Sequence, residues 1–365
     1  MHDDVTEDSS PALNSAARLE SDPIDIAVIG AGAIGGSIAA RLDAVGHHVT
    51  ITARGAHLEA IRASGLRLTG ALGEHTARVT AELTLHRRPT LAIVTTKAQD
   101  APAAIAANER WLRDTTVLVV QNGLNGARDA QVALPHAHVL SGTTSIGANV
   151  PEPGHIEVTT PGATLVGALN GAEQSTAAAL VSLLQPAVPA ELCPDTQGVL
   201  WSKLMVNQVN ALPAITGLPI QATIADPRLR RVLTLSLREG VQVARAHGVH
   251  FAAVQALNDA LLSVLAEASL ATAEFVPLLM AHNMGDTPNT GSTLQSVRTG
   301  RPTEIDYLNG AVVQAAEEVG LQAPVNAALV QMVHEVERSA ETSAPAFQSP
   351  EAVVSDARLA PYVQL

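Results

Sequence analysis

Aromatic side chains are almost missing from this chain of 365 residues: Trp, Tyr and Phe together make up 2% of it. So sparse a supply excludes the stacking platforms on which single-stranded bases are read. Cysteine occurs once, at Cys193, which rules out an internal disulfide and fits a reducing compartment. Basic residues are scarce as well: 22 Lys and Arg stand against 35 Asp and Glu, and the net charge of −13 argues against nucleic acid or an anionic membrane as partner. Any anion site has to be built locally. No run of about eighteen apolar residues occurs, so no segment is expected to span a membrane. Residues 1–22 are acidic and polar, without the apolar centre of a secretory signal, and read as a disordered leader on a cytoplasmic protein. The remainder is long enough for two domains with a sizeable core.

What is present begins with Ile24, Ile26, Val28 and Ile29, an apolar run of strand length. It breaks into Gly30-Ala31-Gly32-Ala33-Ile34-Gly35, with Gly36 following, before Ile38, Ala39 and Leu42 resume at helical spacing. A G-x-G-x-x-G turn that follows a strand and opens a helix is the fingerprint of a dinucleotide site. Gly30 permits the tight turn, Gly32 lets a pyrophosphate approach bare backbone, and Gly35 lets helix pack on strand. The second strand, 49–52, ends in Thr52-Ala53-Arg54, where a site for NAD would place an acid against the ribose 2′-hydroxyl. A base there suits a 2′-phosphate, so NADP is the expected cofactor; the alternative is that Arg54 is merely solvated.

Strand-like runs at 24–29, 49–52, 91–95, 116–120 and 139–142 alternate with helical patterns, the mark of crossover units and a parallel sheet with helices on both faces. Runs 155–159 and 163–167 flank Thr160-Pro161-Gly162 and predict a hairpin. After about Cys193 the strand signal stops, and helices are predicted over 199–217, 227–247, 252–270, 291–299, 303–320 and 326–338. The expected fold is α/β: a Rossmann-type dinucleotide-binding domain over 23–193, a mostly helical catalytic domain over 194–340, and a loosely packed tail over 341–365.

In the helical half, Lys203, Asn207 and Asn210 stand at i, i+4 and i+7, a polar stripe among Leu200, Leu204, Met205, Val206 and Val209. A partly desolvated lysine has its pKa lowered toward a value useful for proton transfer; the alternative is an ordinary solvated face. Thr303 is placed to cap a helix with Glu304 and Asp306 in its first turn, and Ser292 also reads as a cap. Thr95-Thr96-Lys97 and Gln121-Asn122-Gly123 follow the third and fourth strands, at the edge where open α/β sheets bind ligands. Lys97 there faces a phosphate, a carboxylate or solvent, and Asn122-Gly123 is also a plain turn signal. His136 and His138 have no cysteine cluster or H-E-x-x-H beside them, so no metal site is expected.

Taken together these motifs resemble the ketopantoate reductase family, the 2-dehydropantoate 2-reductases. The matching stretches are the glycine turn, Thr95-Thr96-Lys97, Gln121-Asn122-Gly123, Trp201-Ser202-Lys203-Leu204-Met205-Val206-Asn207, Ser292-Thr293-Leu294-Gln295, and Thr303-Glu304-Ile305-Asp306-Tyr307-Leu308-Asn309-Gly310. The resemblance covers 24–338 and implies NADPH-dependent reduction of a 2-oxo acid on the way to coenzyme A. It implies that Lys203 protonates the carbonyl oxygen as hydride arrives, and that Glu304 positions Lys203 and substrate and borders the cofactor. It further implies that Asn207 and Ser292 hold substrate, with Asn122 and Lys97 lining the junction with the cofactor. Many members carry a second asparagine eight residues after the lysine; this chain has Ala211 there, and Asn210 one position earlier is the substitute substrate ligand. Another branched 2-oxo acid and a non-catalytic NADP-binding redox sensor stand as alternatives. Helical second domains of such enzymes often pair, so a homodimer is one assembly the resemblance allows, while the sequence itself does not fix the oligomeric state.

Overall fold

Ile26 and Val28 belong to one hydrophobic core, Ala27 and Ile29 to another, so the first strand is covered on both faces and reads as an unbroken apolar run. The computed structural model describes residues 17–19, 23–255 and 257–363; of the expected disordered leader only 17–19 are described, as helix with Leu19 buried, and the rest of it lies outside the described residues. The chain divides into two compact units, residues 1–121 with 125–196, and 122–124 with 197–365.

The first unit contains strands β1 (Asp25–Ile29), β2 (His48–Thr52), β3 (Leu66–Gly70), β4 (His75–Ala77), β5 (Thr80–Glu82), β6 (Leu91–Val94), β7 (Thr116–Val120), β8 (His138–Thr144), β9 (Gly147–Glu152), β10 (His155–Thr160), β11 (Thr164–Ala168) and β12 (Ala190–Leu192). Eight of them form a sheet ordered β12-β11-β8-β7-β6-β1-β2-β5, parallel from β8 to β5, with β11 antiparallel to β8. From β1 the chain steps to β2 on one side and later to β6 on the other. That reversal opens a crevice at the carboxyl ends of β1 and β6, where such sheets take ligands.

The predicted hairpin between 155–159 and 163–167 does not form. β10 pairs with β9 and β3 in a second, four-stranded sheet ordered β4-β3-β10-β9, whereas β11 joins the main sheet. The turn that makes a hairpin is Pro153-Gly154, with Gly154 at φ 81°. Thr160-Pro161-Gly162 carries the chain from one sheet to the other, and a side chain on Gly162 would collide with the Ser145 backbone. The helix Ala33–Ala44 is packed by strands of both sheets, which buries Ser37, Ile38, Ala39, Ala40 and Leu42. A Cβ on Gly36 would lie 2.7 Å from the Ile156 side chain, so the residue after the fingerprint lets β10 approach.

The second unit is helical. Pro227–Ala246 is its longest helix, started by Asp226, whose carboxylate accepts the N–H groups of Arg228 and Leu229. Three predicted helices are shorter than their periodicity. The segment expected over 199–217 is split into Thr196–Asn207, a 3-10 turn Gln208–Asn210 and Ala211–Thr216. Pro213 lacks the N–H a continuous helix needs, and Gly217 ends the element at φ 73°. In place of a start at 252, Asn258 caps a helix Asp259–Glu267 by accepting the Leu261 N–H at 3.0 Å. The helix predicted from Thr303 begins at Asn309, after a 3-10 turn Ile305–Tyr307. The last segment is not loose. Helix Pro324–Thr342 overruns its predicted end, and Val353 and Leu359 beyond it are fully buried. Arg358 there bonds Glu335 at 2.6 Å. Ser-, Ala- and Pro-rich composition hid a few spaced apolar residues that packing, rather than periodicity, buries.

Candidate active site

In the first unit the fingerprint residues have the separate geometries their spacing implies. Gly30 has φ 107°, and a Cβ on it would lie 2.9 Å from the Thr96 backbone nitrogen. Gly35 has no room for a side chain, because its Cβ would collide with the Gly30 carbonyl oxygen and the Thr95 hydroxyl. A Cβ on Gly32 would meet nothing within 4 Å, which leaves an open approach to backbone. The turn is fastened by three hydrogen bonds to two threonines. Thr95 Oγ1 donates to the Gly30 carbonyl at 2.8 Å, the Gly30 N–H donates to Thr52 Oγ1 at 3.0 Å, and the Ala31 N–H donates to the Thr52 carbonyl at 2.9 Å.

His57, which the sequence did not single out, holds the same turn. Its Nδ1 accepts the Gly154 N–H at 2.9 Å, so Nε2 carries the proton and donates to the Ala31 carbonyl at 2.8 Å. The helix opened by Ala33 and Ile34 has no acid in its first turn and no side-chain cap at Gly32, leaving N–H groups and the positive dipole end toward an anion. Arg54 follows β2, is exposed, and makes no side-chain hydrogen bond or ion pair among the described residues. Lys97 follows β6 at the same edge. Open backbone at Gly32, uncapped N–H groups and a cation where an acid would select NAD fit a dinucleotide bearing a 2′-phosphate.

In the second unit, three predicted residues meet through hydrogen bonds. Asn207 Nδ2 donates to Asn122 Oδ1 at 3.0 Å, and Asn122 Nδ2 donates to Glu304 Oε2 at 3.2 Å. Asn122-Gly123 is therefore more than a turn. Gly123 has φ 90°, and a Cβ there would lie 2.9 Å from the Tyr307 carbonyl oxygen, so glycine is what lets the segment lie against the loop carrying Glu304. Because the helix starts only at Asn309, Glu304 caps no long helix; it stands half-buried in that loop.

Lys203 and Asn207 are partly buried, as Thr196 and Leu200 also are, in a helix whose Val199, Trp201, Ser202, Leu204, Met205 and Val206 are buried. Desolvation pushes the Lys203 ammonium down from 10.5 to about 8. It forms no ion pair with Glu304 or with any other described residue, so apolar surroundings alone cause the shift. Asn210 is buried, and both ends of its amide are engaged: Nδ2 donates to the Asn207 carbonyl at 3.0 Å and Oδ1 accepts the Ser292 N–H at 3.2 Å. It positions Ser292, whose side chain is exposed at the start of helix Gly291–Arg298. Sequence reasoning also passed over a signal in composition. Lys97 and Lys203 are the two lysines of the whole chain, every other basic residue being arginine.

A dinucleotide cradle on a mostly parallel sheet, in one chain with a helical unit bearing a desolvated lysine, defines a nicotinamide-dependent oxidoreductase. Family models described as ketopantoate reductase PanE/ApbA and its C-terminal portion match residues 26–171 and 195–337. The chain belongs to the ketopantoate reductase family, oxidoreductases that draw on NADPH. It is 30% identical over 320 residues to a 2-dehydropantoate 2-reductase of Vibrio cholerae, covering 87% of this chain and 99% of the relative. With the Archaeoglobus fulgidus enzyme of the same name identity is 29%, over 86% and 97% of the two chains. Among solved structures, a ketopantoate reductase from Ralstonia eutropha JMP134 superposes with a TM-score of 0.74 at 28% identity, covering 87% of this chain and 99% of that one. A D-mandelate dehydrogenase with NADH and anilino(oxo)acetate shares the fold, with TM-score 0.73 at 22% identity over 87% of this chain and 100% of that one.

Proposed function

We propose that the chain catalyses the NADPH-dependent reduction of 2-dehydropantoate to pantoate, a step toward pantothenate and coenzyme A. The observation that carries this reading is the hydrogen-bonded set Asn207–Asn122–Glu304, with the desolvated Lys203 one helical turn from Asn207. A bound reduced nicotinamide supplies the hydride. The chain's part is to bind the 2-oxo acid, orient it and deliver a proton to its carbonyl oxygen.

Lys203 is the proton donor. Below about 8 its ammonium is charged, and its weak solvation makes it a stronger acid than a surface lysine, matched to an alkoxide that forms as it donates. Partial exposure lets water restore the proton afterwards. Asn122, donating to Glu304 and accepting from Asn207, fixes the orientation of the Asn207 amide, whose oxygen is then an acceptor for a substrate hydroxyl. The exposed Ser292 hydroxyl is the second substrate contact. Arg54 and the N–H groups behind Gly32 hold the cofactor's phosphates, and Lys97 adds charge at the same sheet edge.

NADPH oxidation assayed with ketopantoate and a panel of other 2-oxo acids tests the reading. Turnover fastest with ketopantoate supports it; binding of NADPH without turnover of any member overturns it in favour of a sensor. One observation favours a second reading, a different 2-oxo acid: the Asn210 amide is spent within the protein and Ala211 offers no substitute. Preference for another panel member would establish it. Arg54→Asp is expected to raise KM for NADPH about tenfold to a hundredfold, the worth of a charged hydrogen bond, and to leave NADH kinetics nearly unchanged. An unaltered ratio of the two cofactors would show that Arg54 does not read the 2′-phosphate.

A further inference from the structure

The loop that carries Glu304 is tied on both sides of that residue to the helix Pro324–Thr342. Before it, the buried Thr303 N–H donates to Glu337 Oε1 at 2.7 Å. After it, Asp306 Oδ1 lies 2.9 Å from His334 Nε2, and His334 Nδ1 lies 2.6 Å from Glu337 Oε2. One ring thus joins the two anchors. Ionised carboxylates only accept, so both ring nitrogens donate and the ring is an imidazolium. The charged groups facing it are Asp306 from the loop and Glu337 from its own helix.

We propose that His334 is a positioning residue: its doubly bonded imidazolium clamps the loop at Thr303 and Asp306 and so holds Glu304 at Asn122. The inference rests on the reductase reading only for what Glu304 does, since the clamp itself lies in hydrogen bonds within the protein. Partial burial by itself would lower the His334 pKa, but the bonds and charges of Asp306 and Glu337 hold it above the usual 6.5. A raised pKa means the clamp is complete at low pH and is weakened as pH rises through the folded value. The neutral ring keeps one N–H, so one of the two carboxylates loses its donor: either the loop is freed at Asp306, or Glu337 is no longer fixed in place beneath the Thr303 N–H.

The test measures hydrogen–deuterium exchange of the 301–309 segment against pH, corrected for intrinsic exchange, in parent, His334→Gln and His334→Arg proteins, with kcat and KM alongside. In the parent, protection is expected to fall roughly threefold to tenfold as pH rises through the His334 titration, the size of one hydrogen bond. His334→Gln should show the low protection at every pH and a kcat lower by a similar factor, with KM for NADPH unchanged. His334→Arg, permanently charged, should restore protection and kcat and abolish their dependence on this titration. Protection that is flat with pH in the parent and equal in His334→Gln would overturn the clamp. Exchange requires no turnover: failure of every 2-oxo acid with an intact exchange response sinks the reductase reading alone, and turnover with a flat response sinks the clamp alone.

Discussion

Lys203→Met enzyme is expected to lose two to four orders of magnitude in kcat, roughly the usual contribution of a general acid, while its affinity for NADPH stays at the parental value. The cofactor cradle and Lys203 belong to different units of the chain. The lesion should therefore be one of chemistry. In the parent, kcat/KM for reduction should fall as pH rises through about 8, because the donor must be charged and its pKa stands there rather than at 10.5. The methionine variant should lack that limb. Stability moves the other way. A lysine with a depressed folded pKa is held charged at a cost, so its unfolded form binds the proton more tightly and stability rises with pH between the two values. Removing the charge should thus leave Lys203→Met at least as stable as the parent by thermal unfolding, and lost activity could not be blamed on lost structure. Retention of more than about a tenth of parental kcat would assign the proton to another group.

The second large effect belongs to Gly35→Ala. The added methyl would collide with the Gly30 carbonyl oxygen and the Thr95 hydroxyl, and these two are hydrogen-bonded to each other at 2.8 Å, so neither has an easy retreat. Helix and strand must part, at a cost of about 1–3 kcal/mol for an overpacked site. NADPH binding should weaken at least about a hundredfold, because the helix N–H groups and the open backbone at Gly32 no longer share one geometry. Gly32→Ala is the control. Its methyl meets nothing in the protein, so stability should stay within about 0.5 kcal/mol while cofactor binding still weakens, the methyl occupying the approach to backbone. Isothermal titration with NADPH and chemical denaturation of both variants separate the two roles. Parental affinity in Gly35→Ala would mean that the close approach of helix to strand is not what builds the cradle.

How much of this was readable in advance depended on the range of the interaction. The strand at Thr116–Val120 was placed to the residue, since a strand buried on both faces writes an unbroken apolar run. The glycine turn was readable for the same reason: each glycine's constraint arises within a few residues or at the next strand. The hairpin at Thr160-Pro161-Gly162 misled because the turn signal was genuine but the sheets were two, and the choice of partner strand is not written in the turn. Asn210 looked like a ligand by spacing, yet its amide is consumed by the Asn207 carbonyl and by Ser292, 82 positions away in sequence.

By itself the sequence determined the dinucleotide half, the helical character of the other half and the one lysine set on an apolar helix, because periodicity, glycine conformation and apolar surroundings are local properties of a chain. Only the tertiary structure decided that Asn122 bonds Asn207, 85 residues away, and Glu304, 182 residues away. The same holds for His334 and Glu337, which grip the loop on either side of Glu304. Side-chain hydrogen bonds between remote segments leave no period in the sequence, since their partners are chosen by how helices and loops pack after each has formed.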